Sequence, residues 1–350
     1  PWVMGSLTVN GLTDSITTAT GETLGWTYFF GVLWGIGGLT FGLAMRYLGI
    51  SLGMAIALGY CSAFGTLIPP IWEGRFGELI STQTGLFTLA GVVVCLIGIA
   101  VCGRAGMMKE RELNAEQQKA TIAEFNLKKG ITVATISGIL SACFSFGLTA
   151  GKPIADNAVR FGTDPLWQNN AIYPVLLFGG FTTNFIWCLF LNRRNKSFGD
   201  YGNKNTPLFR NYFWAMLAGT TWYFQFFFYG MGHSKLDKSL DFASWMLHMA
   251  FIIAFSTLWG LLLREWAGAS RRTFAVVWAG LLLLLFSTVL IGLGRKQRTL
   301  NLGAGVLSKI CPKRPAWLRT FKQACNDWFH EISEVIMDFL DSRLLLGTIA

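Results

Sequence analysis

Two of the chain's three histidines, an aspartate, a glutamine and a dense set of aromatic rings gather between Trp222 and Met249, in the run WYFQFFFYGMGHSKLDKSLDFASWMLHM. Trp222, Tyr223, Gln225 and Tyr229 on the earlier side, with Trp245 opposite, combine flat apolar faces with groups that donate and accept hydrogen bonds. His233, Asp241 and His248 can exchange protons, because a histidine titrates in the physiological range and a neighbouring carboxylate shifts either pKa. This mixture suits a pocket for a polar solute carried across a bilayer.

The elements that must position these groups follow from composition. Hydrophobic residues make up 52% of the chain and charged residues only 14%, too apolar for one soluble domain. The charges cluster, and between the clusters lie about eight uncharged runs long enough to cross a hydrocarbon core of about 30 Å as helices. They are Gly25 to Met45, Leu48 to Trp72, Leu79 to Gly103, Gly130 to Gly151, Pro165 to Leu191, Asn211 to Gly232, Phe242 to Leu263, and Thr273 to Gly294. Helix is the reading for each, since an open strand edge in lipid leaves backbone groups unpaired. The expected fold is an all-α polytopic membrane protein.

Lysine and arginine concentrate in the connections Arg104 to Lys129, Arg193 to Arg210 and Arg264 to Arg272, which the positive-inside rule assigns to the cytoplasm. The regions around Asp14 and Glu22, Glu73 to Glu78, Lys152 to Asp164 and Lys235 to Asp241 then lie outside. The net charge of +10 is accounted for by membrane orientation and solvated loops, without nucleic acid as a partner. Cys61, Cys95, Cys102, Cys143 and Cys188 fall inside apolar runs in no metal-binding spacing, and read as small packing residues. No GxxxxGK[ST] phosphate loop, HExxH or GxSxG occurs, so neither a nucleotide, a cofactor, a metal nor an enzymatic activity is expected.

The chain begins at Pro1, and PWVMGSLTV reads as the end of a further apolar segment, so an N-terminal piece is expected to be missing. The hydrophilic stretch 104–129 separates three spans (1–103) from five (130–294). With two more spans at the front the halves become five plus five, and an odd number per half inverts one repeat relative to the other, placing a site near the midplane. Glycines 31, 35, 38 and 42, and the stripe Gly49, Gly53, Ala57, Cys61, Gly65, read as close helix contacts. The Pro69-Pro70 pair is expected to end or kink the second span.

Six motifs carry a resemblance: MRYLGISLGMAIALG (45–59), EFNLKKG (124–130), SFGLTAGKP (145–153), WYFQFFFYGMGH (222–233), SWMLHM (244–249) and REW (264–266). In order and content they resemble the bacterial L-rhamnose–proton symporter family of the drug/metabolite transporter superfamily. The resemblance runs from about residue 1 to about residue 294. It implies an inner-membrane protein of about ten spans that imports L-rhamnose with a proton, its partners being the sugar, the proton and the bilayer. Against the family, the first span and most of the second are absent, and 295–350 resembles nothing in it. Within that tail, 316–346 has the spacing of an interfacial amphipathic helix, and a shifted reading frame explains it equally well. Export of another small metabolite is the alternative within the superfamily, and it predicts a pocket lacking these polar groups.

For such symport, Trp222, Tyr223, Gln225, Tyr229 and Trp245 are the leading sugar contacts, with Asn184 and Lys152 behind them. Gln225 is the most telling, since an amide in an apolar span is costly without a partner. The proton candidates are Asp241, His233 and His248; Asp241, Trp245 and His248 stand at i, i+4 and i+7, one face of a helix. Plainer readings stand beside these: the rings as helix contacts, Asp241 as an N-cap, His233 as the watery end of a span, His248 as an interhelical hydrogen bond, Lys152 as an interfacial anchor.

Overall fold

A computed structural model describes residues 1–72, 74, 76–112, 126–236, 243–263, 266 and 268–307. Among the described residues there is helix and no strand. The described residues form twelve α-helices: α1 (Trp2–Thr8), α2 (Leu12–Thr17), α3 (Gly21–Leu48), α4 (Ile50–Trp72), α5 (Phe76–Ser81), α6 (Gln83–Glu112), α7 (Leu127–Ala150), α8 (Lys152–Arg160), α9 (Tyr173–Asn195), α10 (Leu208–Lys235), α11 (Ser244–Leu262) and α12 (Arg271–Leu307). Short 3-10 turns span Pro165–Ala171 and Phe198–Gly202.

Local chemistry explains several boundaries. Thr20 accepts from the Thr23 amide at 3.2 Å and starts α3, Asn126 accepts from Lys129 at 3.0 Å and starts α7, and Ser270 accepts from Thr273 at 3.2 Å ahead of α12. Gly49, at φ 80°, turns the chain from α3 into α4; it belongs to the turn and not to the packing stripe that follows. The prolines 69 and 70 do not stop α4, which runs on to Trp72. α6 continues to Glu112, into the stretch expected to be linker, and α12 continues to Leu307, past the expected end at Gly294. The tail helix expected at 316–346 lies outside the described residues.

Among the described residues seven helical stretches are long and apolar enough to cross a membrane, which makes this a multi-pass membrane protein. α10 covers the sixth expected stretch, Asn211 to Gly232, and has length enough at 28 residues, so its composition keeps it from the seven. Its tryptophans, tyrosines, threonines, Asn211 and Gln225 lower its hydropathy although it is uncharged from Asn211 to Gly232.

The long helices run alternately up and down. At one end the basic connections meet: the Asn126 amide donates to Tyr47 O at 3.1 Å, and the Glu112 carboxylate accepts from Ser270 N and Oγ at 2.7 and 2.6 Å and from Thr273 Oγ1 at 2.7 Å. At the far end, residues 1–20, 151–172 and 230–236 meet. α6 packs along α12, α3 along α7 and α9, and α7 against α4. The α3–α9 crossing brings backbones together, since a Cβ on Gly31 would collide with Leu176 O and one on Gly179 with Tyr28 O. Ser137 Oγ donates to Gly37 O at 2.9 Å and Ser145 Oγ to Gly65 O at 2.9 Å, so hydroxyls on α7 bind it to α3 and α4.

Candidate functional site

A cavity of about 620 Å³ lies among α3, α4, α7, α9, α10 and α11. Its aromatic wall is Trp34, Phe41, Phe181, Trp222, Phe226 and Trp245, and its polar groups are Ser141, Asn184, Gln225 and His248. Such a lining, mostly apolar with a few convergent polar groups, is what a small polar ligand with an apolar face requires.

The rings are ordered. Trp34 and Trp222 lie nearly parallel at 5.8 Å and 17°, and Phe226 stands edge-on to both, at 5.6 and 5.0 Å. Behind Phe226, Phe144 stacks at 4.6 Å and continues to Trp245 at 5.4 Å. Trp245 is 3% exposed, and its indole N–H donates to Cys61 O at 3.2 Å, which fixes the ring against α4. Gly65 makes room for that ring, since a Cβ there would collide with the indole. Tyr173, fully buried, donates its hydroxyl to Phe226 O at 2.7 Å and pins α10 at this level.

The Gln225 side chain makes no hydrogen bond with any described residue, although it stands on the wall of the cavity. An amide with two donors and an acceptor is thus available to a ligand. Asn184 donates to Gly180 O at 2.8 Å, which directs its side chain along α9. The His248 Nε2 is buried with no hydrogen-bond partner among the described residues, and the ring lies 4.6 Å from Tyr229 and 5.6 Å from Trp245.

Of the residues proposed from the sequence, Trp222, Gln225, Trp245, Asn184 and His248 come together on this cavity. The other described candidates do not line it. Tyr223 is buried away from it, its hydroxyl without a partner among the described residues, and Tyr229 sits behind His248 with its hydroxyl 3.1 Å from Ser244 Oγ. His233 stacks on Tyr229 at 5.7 Å toward the far end, its Nδ1 3.4 Å from Asn169 Nδ2. Lys152 opens α8 at the far surface, where it is 63% exposed and bridges Asp156 at 2.7 Å, a local i, i+4 pair with no access to the cavity. Asp241 lies outside the described residues; α11 is described from Ser244, with Ala243 at its N-cap, and it carries Trp245 and His248.

Sequence reasoning missed Trp34, Gly38, Phe41 and Ser141. Trp34 stands within the glycine-rich α3, where a large ring among glycines was the available signal, and it lies over Gly180, whose Cβ would come within 2.6 Å of the indole. A Cβ on Gly38 would meet nothing within 4 Å, so this glycine borders open space, unlike Gly31 and Gly35 of the same series. Among the described residues no group of three His, Cys, Asp or Glu side chains is placed to hold a metal ion.

Residues 1–297 match the family model for the L-rhamnose-proton symport protein. The chain is 38% identical to an L-rhamnose-proton symporter of Cronobacter sakazakii over 297 residues, which cover 84% of this chain and 85% of the relative. It is 37% identical to one from Escherichia coli over the same length and shares, and 40% identical to one from Mannheimia succiniciproducens over 270 residues, 76% of this chain and 77% of that protein. No solved structure matches. A match of this extent, over a polytopic helical protein with a ring-lined central cavity, makes the chain a member of the L-rhamnose-proton symport protein family.

Proposed function

We propose that this protein imports L-rhamnose together with a proton across the bacterial cytoplasmic membrane, and that the sugar occupies the cavity bordered by Gln225. The observation that carries the reading is the pairing of an unpartnered amide with flat rings in a membrane-embedded hollow. A deoxy sugar has an apolar ring face and methyl group for Trp34, Trp222 and Phe226, and hydroxyls for Gln225, Asn184 and Ser141. A relative of the same family is described as an L-rhamnose-proton symporter, which supports the cargo and the coupling.

His248 is the best-supported proton carrier of the three candidates, because it borders the cavity and its Nε2 has no structural partner that a proton would displace. His233 and Asp241 remain candidates for passing the proton from the outside. A proton falling through −100 mV releases about 2.3 kcal/mol, enough for roughly fifty-fold accumulation of a neutral solute at one proton per sugar. We assign the basic end to the cytoplasm on the positive-inside rule, and read 1–103 and 130–294 as parts of two inverted halves of a protein of about ten spans. Residues 295–350 receive no part in transport.

Uptake of labelled L-rhamnose into proteoliposomes, with the external pH recorded, tests the function. Sugar addition should alkalinise the outside, and a protonophore should abolish accumulation. Accumulation indifferent to the protonophore, with no pH change, defeats the symport reading.

A further inference from the structure

The bundle is asymmetric along its axis. In α10 every residue from 209 to 222 is exposed, and in α9 every residue from 184 to 190. These are the halves of both helices nearer the basic end, whereas their far halves are packed and hydrogen-bonded. A second hollow of about 530 Å³, lined by Trp214, Leu217, Ala218 and Thr221, shares Trp222 and Gln225 with the central cavity and lies on its basic side. The two hollows meet at Trp222 and Gln225, on the side of α10 that runs toward the basic end.

Toward the far end there are two closures. Phe144, Phe226 and Tyr173 form a buried plug directly beyond the cavity, held by the Tyr173 hydroxyl on Phe226 O. Beyond it the α1–α2 segment is bound to the α8 region: the Asn10 amide donates to Thr163 Oγ1 at 2.9 Å, Asn10 Nδ2 to Gly162 O at 2.9 Å, and Thr163 Oγ1 to Asn10 O at 3.3 Å. Asn157 Nδ2 adds a bond to Ser15 O at 3.3 Å, and Asn170 Nδ2 one to Thr8 Oγ1 at 2.9 Å. All five are neutral bonds between side chain and backbone or side chain and side chain, individually weak and breakable in steps.

We propose that this clasp, centred on Asn10 and Thr163, is the outer gate of the carrier, and that the structure holds that gate shut. For import the clasp must part to admit the solute and re-form before release on the other side. The inference rests on the transport reading for its direction, but the accessibility it predicts does not depend on the cargo.

Gly38→Cys supplies a reporter on the cavity wall, in open space. In vesicles of known orientation, a membrane-impermeant maleimide should label it faster from the basic side than from the far side, above the background of protein without that cysteine. Asn10→Ala with Thr163→Val should raise far-side labelling at least about threefold, since even one lost bond shifts the equilibrium that far. Faster labelling from the far side in the parent protein, or no change on weakening the clasp, overturns the proposal. In Asn10→Cys/Thr163→Cys protein, oxidation should stop uptake and a reductant restore it, with each single variant indifferent to oxidant; undiminished uptake by cross-linked protein, verified by intact mass, also overturns it. Labelling asymmetry without any L-rhamnose uptake leaves the gate and defeats the cargo, whereas normal uptake without asymmetry defeats the gate alone.

Discussion

Replacing Gln225 by leucine separates ligand binding from folding more cleanly than any other change at the cavity. The amide makes no hydrogen bond with a described residue, so the fold loses no bond when it is removed. Leucine is apolar and of similar size, and it relieves the cost of an unpaired amide in an apolar span. Stability is therefore expected to hold or rise slightly. Binding is expected to fall: two hydrogen bonds from the amide to sugar hydroxyls, at about 0.5–1.5 kcal/mol each, correspond to about 1–3 kcal/mol, or a roughly 5- to 150-fold weaker Kd for L-rhamnose. Equilibrium binding to purified protein measures the affinity, and thermal unfolding of the same preparation measures the stability. An unchanged Kd with an unchanged Tm would refute the assignment of Gln225 to the sugar. A large fall in Tm would refute the premise that the amide has no structural role.

Gly38→Leu should block L-rhamnose uptake with little change in Tm, because the new side chain enters open cavity space, while Gly38→Ala should transport nearly normally; equal uptake by all three proteins would remove the cavity from the sugar's path. Gly179→Ala drives a Cβ into Tyr28 O and to 2.7 Å from Val32 N, and the resulting overpacking should lower stability by about 1–3 kcal/mol, read as a fall in Tm. His248→Gln should retain downhill sugar exchange and lose uphill accumulation if His248 carries the proton; full accumulation by the variant would transfer that role to another group.

Much of the scaffold was legible because lipid removes alternatives: a long uncharged run must satisfy its backbone internally, so the runs from Gly25 and from Gly130 read as helix, and 25–45 and 130–150 are helix. Ends were less legible. α6 runs on to Glu112 because that carboxylate meets Ser270 and Thr273, partners 158 and 161 residues away that no local pattern reveals. Lys152 looked like a group at the end of a transmembrane span; the chain instead breaks at Gly151 into a second helix, which turns the lysine toward Asp156.

Composition and spacing alone determined a helical membrane protein, its basic and far ends, and the family motifs, because these depend on local polarity and on residue identity. They also marked Gln225, since an amide in an apolar run is conspicuous wherever the helix points. Which residues share a hollow was decided only by tertiary structure. Rotation of each helix about its axis, set by close contacts such as Gly31 with Leu176 and Gly65 beneath Trp245, turned Trp34, Gly38 and Ser141 toward Gln225 and turned Tyr223 away. Sequence spacing fixes neighbours on one helix, but a site built from six helices depends on how each is rotated by the others.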